Sequence, residues 1–132
     1  MIESQITQLY LLKAEESLAG AESEFVNGRY DNTANRCYYA CFQAAIAALL
    51  QEGTQPSGRQ WGHEFVQARF VGELINRRKL YPADLRQTLS NTLGLRQTAD
   101  YAADAVNQRE AARALRWTRP FVEAVSDGGE RA

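Results

Sequence analysis

Arg96 and Asp100 are the two residues whose types and spacing most directly suggest chemistry. They lie four positions apart, so on a helix they share a face and can form an ion pair. They also continue a stripe of leucines at positions 85, 89 and 93, which predicts that they lie beside the core. Because buried charges need partners, the pair is either a structural clamp or the floor of a polar cleft, where an arginine can bind phosphate or carboxylate.

Three further polar residues are candidates for the same site. Tyr101 follows Asp100 directly, whereas Asn35 and Tyr39 lie on another predicted helix, at its polar edge. A buried tyrosine hydroxyl needs a hydrogen-bond partner, so Tyr39 is either a core residue with a satisfied hydroxyl or a neighbour of Asn35, Arg96 or a ligand. We predict that the ligand-binding residues are Asn35, Tyr39, Arg96, Asp100 and Tyr101.

The histidine and cysteine content does not predict a metal or a cofactor. His63 is the sole histidine and opens a predicted helix, where a structural role is favoured over catalysis. Cys37 and Cys41 lie one helical turn apart on an apolar helix, without the further ligands that a zinc site needs. We expect both thiols to be reduced and to pack as small hydrophobic groups.

Charge and hydropathy exclude several classes of protein. The formal net charge is −1, so the overall balance indicates neither a nucleic-acid nor a membrane partner. No apolar run reaches the roughly 18 residues of a membrane span, and the first residues do not form a signal peptide, so we expect a cytoplasmic protein.

The last predicted helix carries an arginine face that is either solvated or contacts phosphates non-specifically; its members are Arg109, Arg113, Arg116 and Arg119.

Helical periodicity dominates the chain and predicts five helices that position these residues. The first runs from Ile2 to Phe25 and ends at Asn27-Gly28, and the second follows an N-cap at Asp31. Segment 35–50 is apolar around most of its circumference, which identifies the second helix as the central one.

The second half of the chain contains the remaining three helices. The third is predicted from His63 to Arg78, and the fourth has Pro82 in its first turn. The last follows an N-cap at Asn107 and runs from residue 108 to 125, with a kink or break at Pro120. The sequence therefore predicts an all-α, up-and-down four-helix bundle with an additional short helix. We expect residues 1–126 to form a single domain and residues 127–132 to form a flexible tail.

The segment GRYDNTANRCYYACFQAAIAALL, residues 28–50, resembles the signature of HEPN domains, especially the small stand-alone bacterial and archaeal members. These share a Gly-x-Tyr start followed by Asn-x-x-Tyr-Tyr-Ala-x-Phe-x-Ala on the second helix. A histidine that opens the third helix, here His63, and an Arg-x-x-Ala-Asp-Tyr segment, here residues 96–101, extend the likeness. The resemblance covers most of the chain from Arg29 to Tyr101 and implies a HEPN-like helical bundle.

The resemblance also implies partners and an activity. HEPN proteins commonly form homodimers, in which polar residues of both subunits line a shared cleft. They are frequently encoded beside a minimal nucleotidyltransferase, with which they form a toxin–antitoxin-like pair. Many are metal-independent ribonucleases with an Arg-x4-6-His motif, in which the arginine holds phosphate and the histidine assists transfer through the ribose 2′-hydroxyl.

This sequence departs from that motif, because no histidine follows Arg96. Tyr101 occupies a position where the nuclease branch could place its histidine, but a free phenol has a pKa of about 10 and is a weak general base at neutral pH. The leading hypothesis is a non-catalytic, dimeric module that binds a nucleotidyltransferase, a nucleotide or RNA. The alternatives are a ribonuclease with an altered site, with catalytic candidates Arg96, Asp100, Tyr101 and His63, and a purely structural bundle.

Overall fold

The computed structural model describes residues 2–56, 58, 60–101 and 103–128, with side chains described from residue 5 onward. All regular structure within these residues is helical, which confirms the predicted all-α class. The elements are α1 (Ile2–Val26), α2 (Tyr30–Gln51), α3 (His63–Arg69), a π-helical segment (Phe70–Arg77), a 3-10 turn (Ala83–Leu85), α4 (Thr88–Tyr101) and α5 (Gln108–Ser126).

Helices α1, α2, α4 and α5 form an up-and-down bundle. Three helix pairs are antiparallel: α1 with α2, α1 with α5, and α2 with α4. In each pair, residues with increasing numbers in one helix contact residues with decreasing numbers in the other. Ser17–Gln43 and Glu24–Asn32 join α1 to α2. Glu22–Arg119 and Glu15–Ser126 join α1 to α5. Tyr39–Arg96 and Asn35–Asp100 join α2 to α4. Helix α3 and the π-helical segment form the additional element and pack against α2.

Helix α2 is the central helix, as predicted. It packs against α1, α4 and α5, and 12 of its 22 residues are buried. Half of these are alanines, whose small side chains let neighbouring helices approach closely. The predicted stripe of α1 also faces the core, since Ala14 and Ala21 are fully buried and Leu18 and Phe25 pack beside them.

The start of α2 differs from the prediction, whereas the start of α5 agrees with it. Helix α2 begins at Tyr30, so the assignment of Asp31 as its N-cap is wrong. Asp31 Oδ1 instead accepts a hydrogen bond of 2.8 Å from the buried backbone of Val106, which would otherwise lack a partner. Asn107 caps α5 through a reciprocal capping box with Glu110, at 2.8 and 3.1 Å.

The third and fourth helices are less regular than the sequence predicts. Helix α3 ends at Arg69, and the chain continues to Arg77 in wider π-helical turns rather than as one α-helix. The wider turn lets Phe70, Leu74 and Ile75 all reach the core. Helix α4 begins only at Thr88, because the residues after Pro82 form a separate 3-10 turn.

Helix α5 runs through Pro120 without interruption, so the predicted break is absent. Proline removes one backbone hydrogen bond, but Phe121, Val122 and Val125 anchor the following turn in the core. Of the predicted tail, residues 129–132 lie outside the described part of the chain, and Asp127 follows α5 in a turn. None of the described helices is long and apolar enough to cross a membrane.

Candidate functional site

Arg96 lies at the centre of a polar cluster between α4 and α2. Its guanidinium carbon is 5.4 Å from the ring centroid of Tyr38 and 5.1 Å from that of Tyr39. Its Nε lies 3.2 Å from Asp100 Oδ2, one turn along α4, and the two side chains are 22% and 27% exposed. Cation–π contacts and an ion pair therefore orient the guanidinium from two sides.

The contact between Arg96 and Asp100 is an ion pair rather than a well-aligned hydrogen bond. The distance of 3.2 Å is short enough for Coulombic attraction, yet the buried Nε–H does not point along a hydrogen bond. Among the described residues, none accepts a hydrogen bond from the two terminal nitrogens of Arg96. The guanidinium is thus held in place while its outer donors stay available.

Asn35 and Arg36 extend the cluster along α2. Arg36 donates to Asn35 Oδ1 through Nε at 3.2 Å and Nη2 at 2.8 Å. Asn35 Nδ2 in turn lies 3.3 Å from a carboxylate oxygen of Asp100. The guanidinium carbon of Arg36 is 5.4 Å from the ring centroid of Tyr39. Two arginines therefore contact one tyrosine ring, with a single carboxylate between them.

Tyr38 connects this cluster to His63. Its hydroxyl lies 2.8 Å from His63 Nδ1, and the two ring centroids are 5.6 Å apart. Tyr38 is only 3% exposed. Burial raises the pKa of Tyr38 to about 12, an effect that the positive charge of Arg96 opposes. The phenol is therefore uncharged at neutral pH. We call Asn35, Arg36, Tyr38, Tyr39, Arg96 and Asp100 the arginine–tyrosine cluster.

The structure brings four of the five predicted ligand-binding residues together. These are Asn35, Tyr39, Arg96 and Asp100. Tyr101, at the end of α4, is 75% exposed and makes no hydrogen bond or ring contact with these four residues. Among the other catalytic candidates, His63 reaches the cluster through Tyr38 rather than directly.

Tyr38 and Arg36 belong to the cluster but are absent from the predicted ligand-binding residues. Tyr38 is buried, yet its ring lies beside Arg96 and its hydroxyl contacts His63. The signal was available, since a buried phenol needs a hydrogen-bond partner. Arg36 lies three positions before Tyr39 on α2, and this spacing places it over that ring.

Comparison with known proteins places these residues in a family. The HEPN domain model matches residues 7–128, which is most of the chain. The chain belongs to the HEPN domain family. A protein of Methanocaldococcus jannaschii that is named as a candidate toxin is 28% identical over 117 residues, an alignment that covers 85% of this chain and 80% of the relative.

The arginine–tyrosine cluster of this HEPN domain is built from the segments that carry the family resemblance. Asn35, Tyr38 and Tyr39 come from the signature on α2, His63 opens α3, and Arg96 begins the Arg-x-x-Ala-Asp-Tyr segment. The sole histidine precedes Arg96 in the chain and makes its 2.8 Å contact with Tyr38. The arrangement thus differs from an arginine followed closely by histidine on one helix.

A second polar group in the HEPN domain, the cysteine–threonine cluster, consists of Cys37, Cys41 and Thr118. All three residues are fully buried, and both thiols are free. Cys41 Sγ donates to Thr118 Oγ1 at 3.6 Å, and Thr118 donates to the backbone oxygen of Ala114 at 2.7 Å. Burial raises the pKa of Cys37 to about 11 and that of Cys41 to about 12. The prediction that these thiols pack inside the core is confirmed.

The described residues include no group of three or more histidine, cysteine, aspartate or glutamate side chains that could hold a metal ion. The arginine face of α5 is exposed to solvent at all four positions. Arg113 packs over the ring of Trp117 at 5.8 Å, and Arg119 pairs with Glu22 of α1 at 2.8 Å. These contacts occupy part of the face with intramolecular partners.

Proposed function

We propose that this HEPN domain is a non-catalytic binding module of a toxin–antitoxin-like system and that Arg96 binds a phosphate group of a nucleotide or RNA. The observation that carries the proposal is the state of the Arg96 guanidinium. It is held by two tyrosine rings and by Asp100, while its terminal nitrogens lack hydrogen-bond acceptors among the described residues.

A planar guanidinium presents paired N–H donors that match the geometry of phosphate oxygens. In this cluster the side chain is already oriented, so less conformational entropy is lost when a ligand binds. Arg36 and Arg96 carry two positive charges against the single carboxylate of Asp100. The remaining positive charge favours an anionic ligand over a neutral one.

Neither Tyr38 nor Tyr101 is suited to act as a general base, and the carboxylate of Asp100 is paired with Arg96, which supports binding rather than cleavage. Tyr38 stays protonated at neutral pH because burial raises its pKa to about 12, and its hydroxyl already contacts His63. Tyr101 lies away from the cluster, with its ring 75% exposed. Transfer through a ribose 2′-hydroxyl needs a group that accepts its proton.

The proposed partners are a second copy of the chain and a minimal nucleotidyltransferase. Both follow from the family resemblance, and the similarity to a protein named as a candidate toxin supports the toxin–antitoxin-like setting. In a homodimer, the same cluster of each subunit would contribute to one shared cleft.

The phosphate site is tested by measuring the affinity for a fluorescent single-stranded RNA. We expect Arg96→Ala to weaken binding by roughly tenfold or more, as for other arginine contacts to nucleic acid. Arg96→Lys keeps the positive charge but loses the planar guanidinium, so its affinity for RNA should lie between those of the wild type and Arg96→Ala. The matched control is Arg113→Ala on the exposed face of α5, for which we expect less than about a twofold change. Wild-type affinity in Arg96→Ala would exclude this site.

The partners are tested by light scattering on the purified protein and by co-purification with the product of an adjacent nucleotidyltransferase gene. A dimer or a stable complex supports the proposal. A monomer that binds neither RNA, a nucleotide nor such a gene product would lead us to abandon it.

A second candidate function is a metal-independent ribonuclease with an altered site. The contact of 2.8 Å between the Tyr38 hydroxyl and His63 favours this function. Tyr38 also contacts Arg96, so only the Tyr38 side chain separates the imidazole from the guanidinium. This hypothesis predicts RNA cleavage in the presence of a chelator and growth arrest on expression, both lost in Arg96→Ala and His63→Ala. Cleavage that persists in Arg96→Ala would exclude it. If Arg96→Ala lowers only thermal stability, the cluster is purely structural.

A further inference from the structure

A cleft of about 400 Å³ adjoins the arginine–tyrosine cluster on the side of α2 that faces α1. Four aromatic side chains line it and all are half-buried, so each presents part of its ring to the opening. They are Tyr10, Tyr39, Phe42 and Trp61. The remaining lining residues are Lys13, Gln43, Ile46 and Gln60. The volume lies within the range of about 300–1,000 Å³ that is usual for small-molecule sites.

Tyr39 belongs to both the cleft and the arginine–tyrosine cluster. Its ring lines the cleft, and the guanidinium carbons of Arg36 and Arg96 lie 5.4 and 5.1 Å from its centroid. A cationic region and an aromatic cleft are thus joined by one side chain. Arg96 and the cleft therefore share Tyr39 as a common neighbour.

Gln43 joins α1 to α2 by hydrogen bonds along one side of the cleft. In the orientation that satisfies both ends of its amide, the nitrogen lies 3.0 Å from the backbone oxygen of Lys13 and 3.1 Å from that of Tyr39. It also lies 2.8 Å from Ser17 Oγ. We favour this orientation over the reverse one, in which only the Ser17 bond forms. The wall that carries Tyr10 and Tyr39 is therefore fixed by hydrogen bonds.

The polar residues of the cleft are suited to an anionic or polar ligand. Lys13 is the sole basic residue among residues 1–28, which contain five glutamates, and it lines this cleft. Lys13 and Gln60 are both exposed, so they can contact a ligand without first being uncovered. Aromatic side chains combined with a small number of polar groups are typical of small-molecule and cofactor sites.

We propose that this cleft is a nucleobase subsite, in which a base packs against the rings of Tyr39 and Trp61 while its phosphate is bound by Arg96. The inference rests on the proposed function of Arg96 and identifies the rest of the ligand as a nucleotide unit. Every base has a π-face, so stacking on aromatic side chains tolerates different bases. A free nucleotide and one nucleotide of an RNA strand offer the same chemistry to the cleft.

Trp61 provides a direct reporter, because the chain has only two tryptophans. Trp117 lies on α5 against Arg113, outside the cleft. The Trp117→Phe variant therefore leaves Trp61 as the single source of tryptophan fluorescence. This variant is titrated with adenosine 5′-monophosphate, with ribose 5-phosphate and with a short oligoadenylate, and affinities are measured in parallel by calorimetry.

We expect the adenine-containing ligands to quench Trp61, whereas ribose 5-phosphate binds more weakly and without quenching. In Trp61→Ala the affinity for adenosine 5′-monophosphate should fall by roughly tenfold, which is the size of one aromatic stacking contact. The affinity for ribose 5-phosphate should stay unchanged in Trp61→Ala and fall in Arg96→Ala. Quenching by the mononucleotide indicates a free nucleotide as ligand, and quenching by the oligoadenylate alone indicates an RNA strand.

Failure of the subsite and failure of the phosphate site give different results. If all ligands bind in an Arg96-dependent manner but the base adds no affinity and does not quench Trp61, the subsite is wrong and the phosphate site stands. If no ligand binds, both proposals are wrong. Circular dichroism of Trp61→Ala shows whether the variant is still folded. Trp61→Phe keeps an aromatic ring at this position and should retain most of the affinity.

Discussion

Helix α2 contributes to two polar clusters at neighbouring positions, and the clusters differ in burial and in charge. The cysteine–threonine cluster is fully buried, and its members hydrogen-bond to each other or to the helix backbone. The arginine–tyrosine cluster is partly exposed and holds charged groups from α2 and α4. Polar residues on an apolar helix are therefore not a sign of function by themselves.

The difference lies in which hydrogen-bonding groups are satisfied inside the protein. In the cysteine–threonine cluster, the donors of Cys41 and Thr118 both have acceptors within the bundle. In the arginine–tyrosine cluster, Arg96 pairs with Asp100, but its guanidinium donates no hydrogen bond to the described residues. A closed cluster stabilises the fold, whereas an open one can also bind a ligand.

The largest expected effect is the protection of the two thiols by the closed cysteine–threonine cluster. The increase in the pKa of Cys37 from 9.0 to about 11 lowers its thiolate fraction by about 100-fold. We therefore expect both native thiols to react with a disulfide reagent at least about 100-fold more slowly than in denaturant. The measurement is the rate of thiol release with and without urea. Equal rates would show that the cysteine–threonine cluster is open to solvent.

Alkaline pH should destabilise the protein through both clusters, starting at different pH values. The folded-state pKa values of Cys37, Cys41 and Tyr38 are raised by burial, so the folded state retains protons that the unfolded state releases. Stability is complete below about pH 9 and falls as the pH rises towards 11 and 12. The cysteine contribution begins near the ordinary value of 9.0, and that of Tyr38 begins near 10.0.

The two contributions are separated by urea denaturation of wild-type protein and Tyr38→Phe at a series of alkaline pH values. The variant should keep the loss that begins near pH 9.0 and show a smaller additional loss above pH 10.0. Identical profiles for the two proteins would contradict the buried, neutral state of Tyr38.

Removal of Arg96 should cost more stability than removal of an exposed arginine. Cation–π contacts contribute about 0.5–2 kcal/mol and a partly exposed ion pair about 0.2–1 kcal/mol, so we expect Arg96→Ala to lower the free energy of unfolding by about 2 kcal/mol. For Arg113→Ala, on the exposed face of α5, we expect a change within about 0.5 kcal/mol. Urea denaturation of both variants measures this difference, and equal effects would contradict it.

The smallest expected effects come from deleting single hydroxyl groups. Tyr38→Phe leaves His63 Nδ1 without its partner at 2.8 Å, which should cost about 1 kcal/mol. Thr118→Val removes only a weak bond to a thiol and a second bond to a helix carbonyl, and should cost less than about 1 kcal/mol. Thermal unfolding gives both values. A larger cost for Thr118→Val would reverse the comparison between the clusters.

Much of the fold could be predicted because helices leave local signals. The apolar spacing on α1 and α2, the glycine after α1 and the capping box at Asn107 each involve residues within a few positions. The errors occurred where a residue had a distant partner. Asp31 bonds to Val106 instead of capping its own helix, and the core residues Phe70 and Leu74 lie in π-helical turns.

The candidate site also combines contacts within one helix, which spacing predicts, with contacts between distant residues, which spacing does not predict. Arg96 and Asp100 lie one turn apart, so their ion pair followed from spacing alone. The contact between Tyr38 and His63 joins residues 25 positions apart, and that between Asn35 and Asp100 joins residues 65 positions apart. No periodic pattern encodes contacts of this kind.

By itself, the sequence determined the helices, the central position of α2 and the pairing of Arg96 with Asp100, because each depends on spacing within one helix. Only the tertiary structure decided that two tyrosines of α2 pack beneath Arg96, that His63 reaches them from α3, and that Tyr101 stays outside. The physical reason is that contacts between helices depend on how whole faces pack together, and the residues that meet there are far apart in the chain.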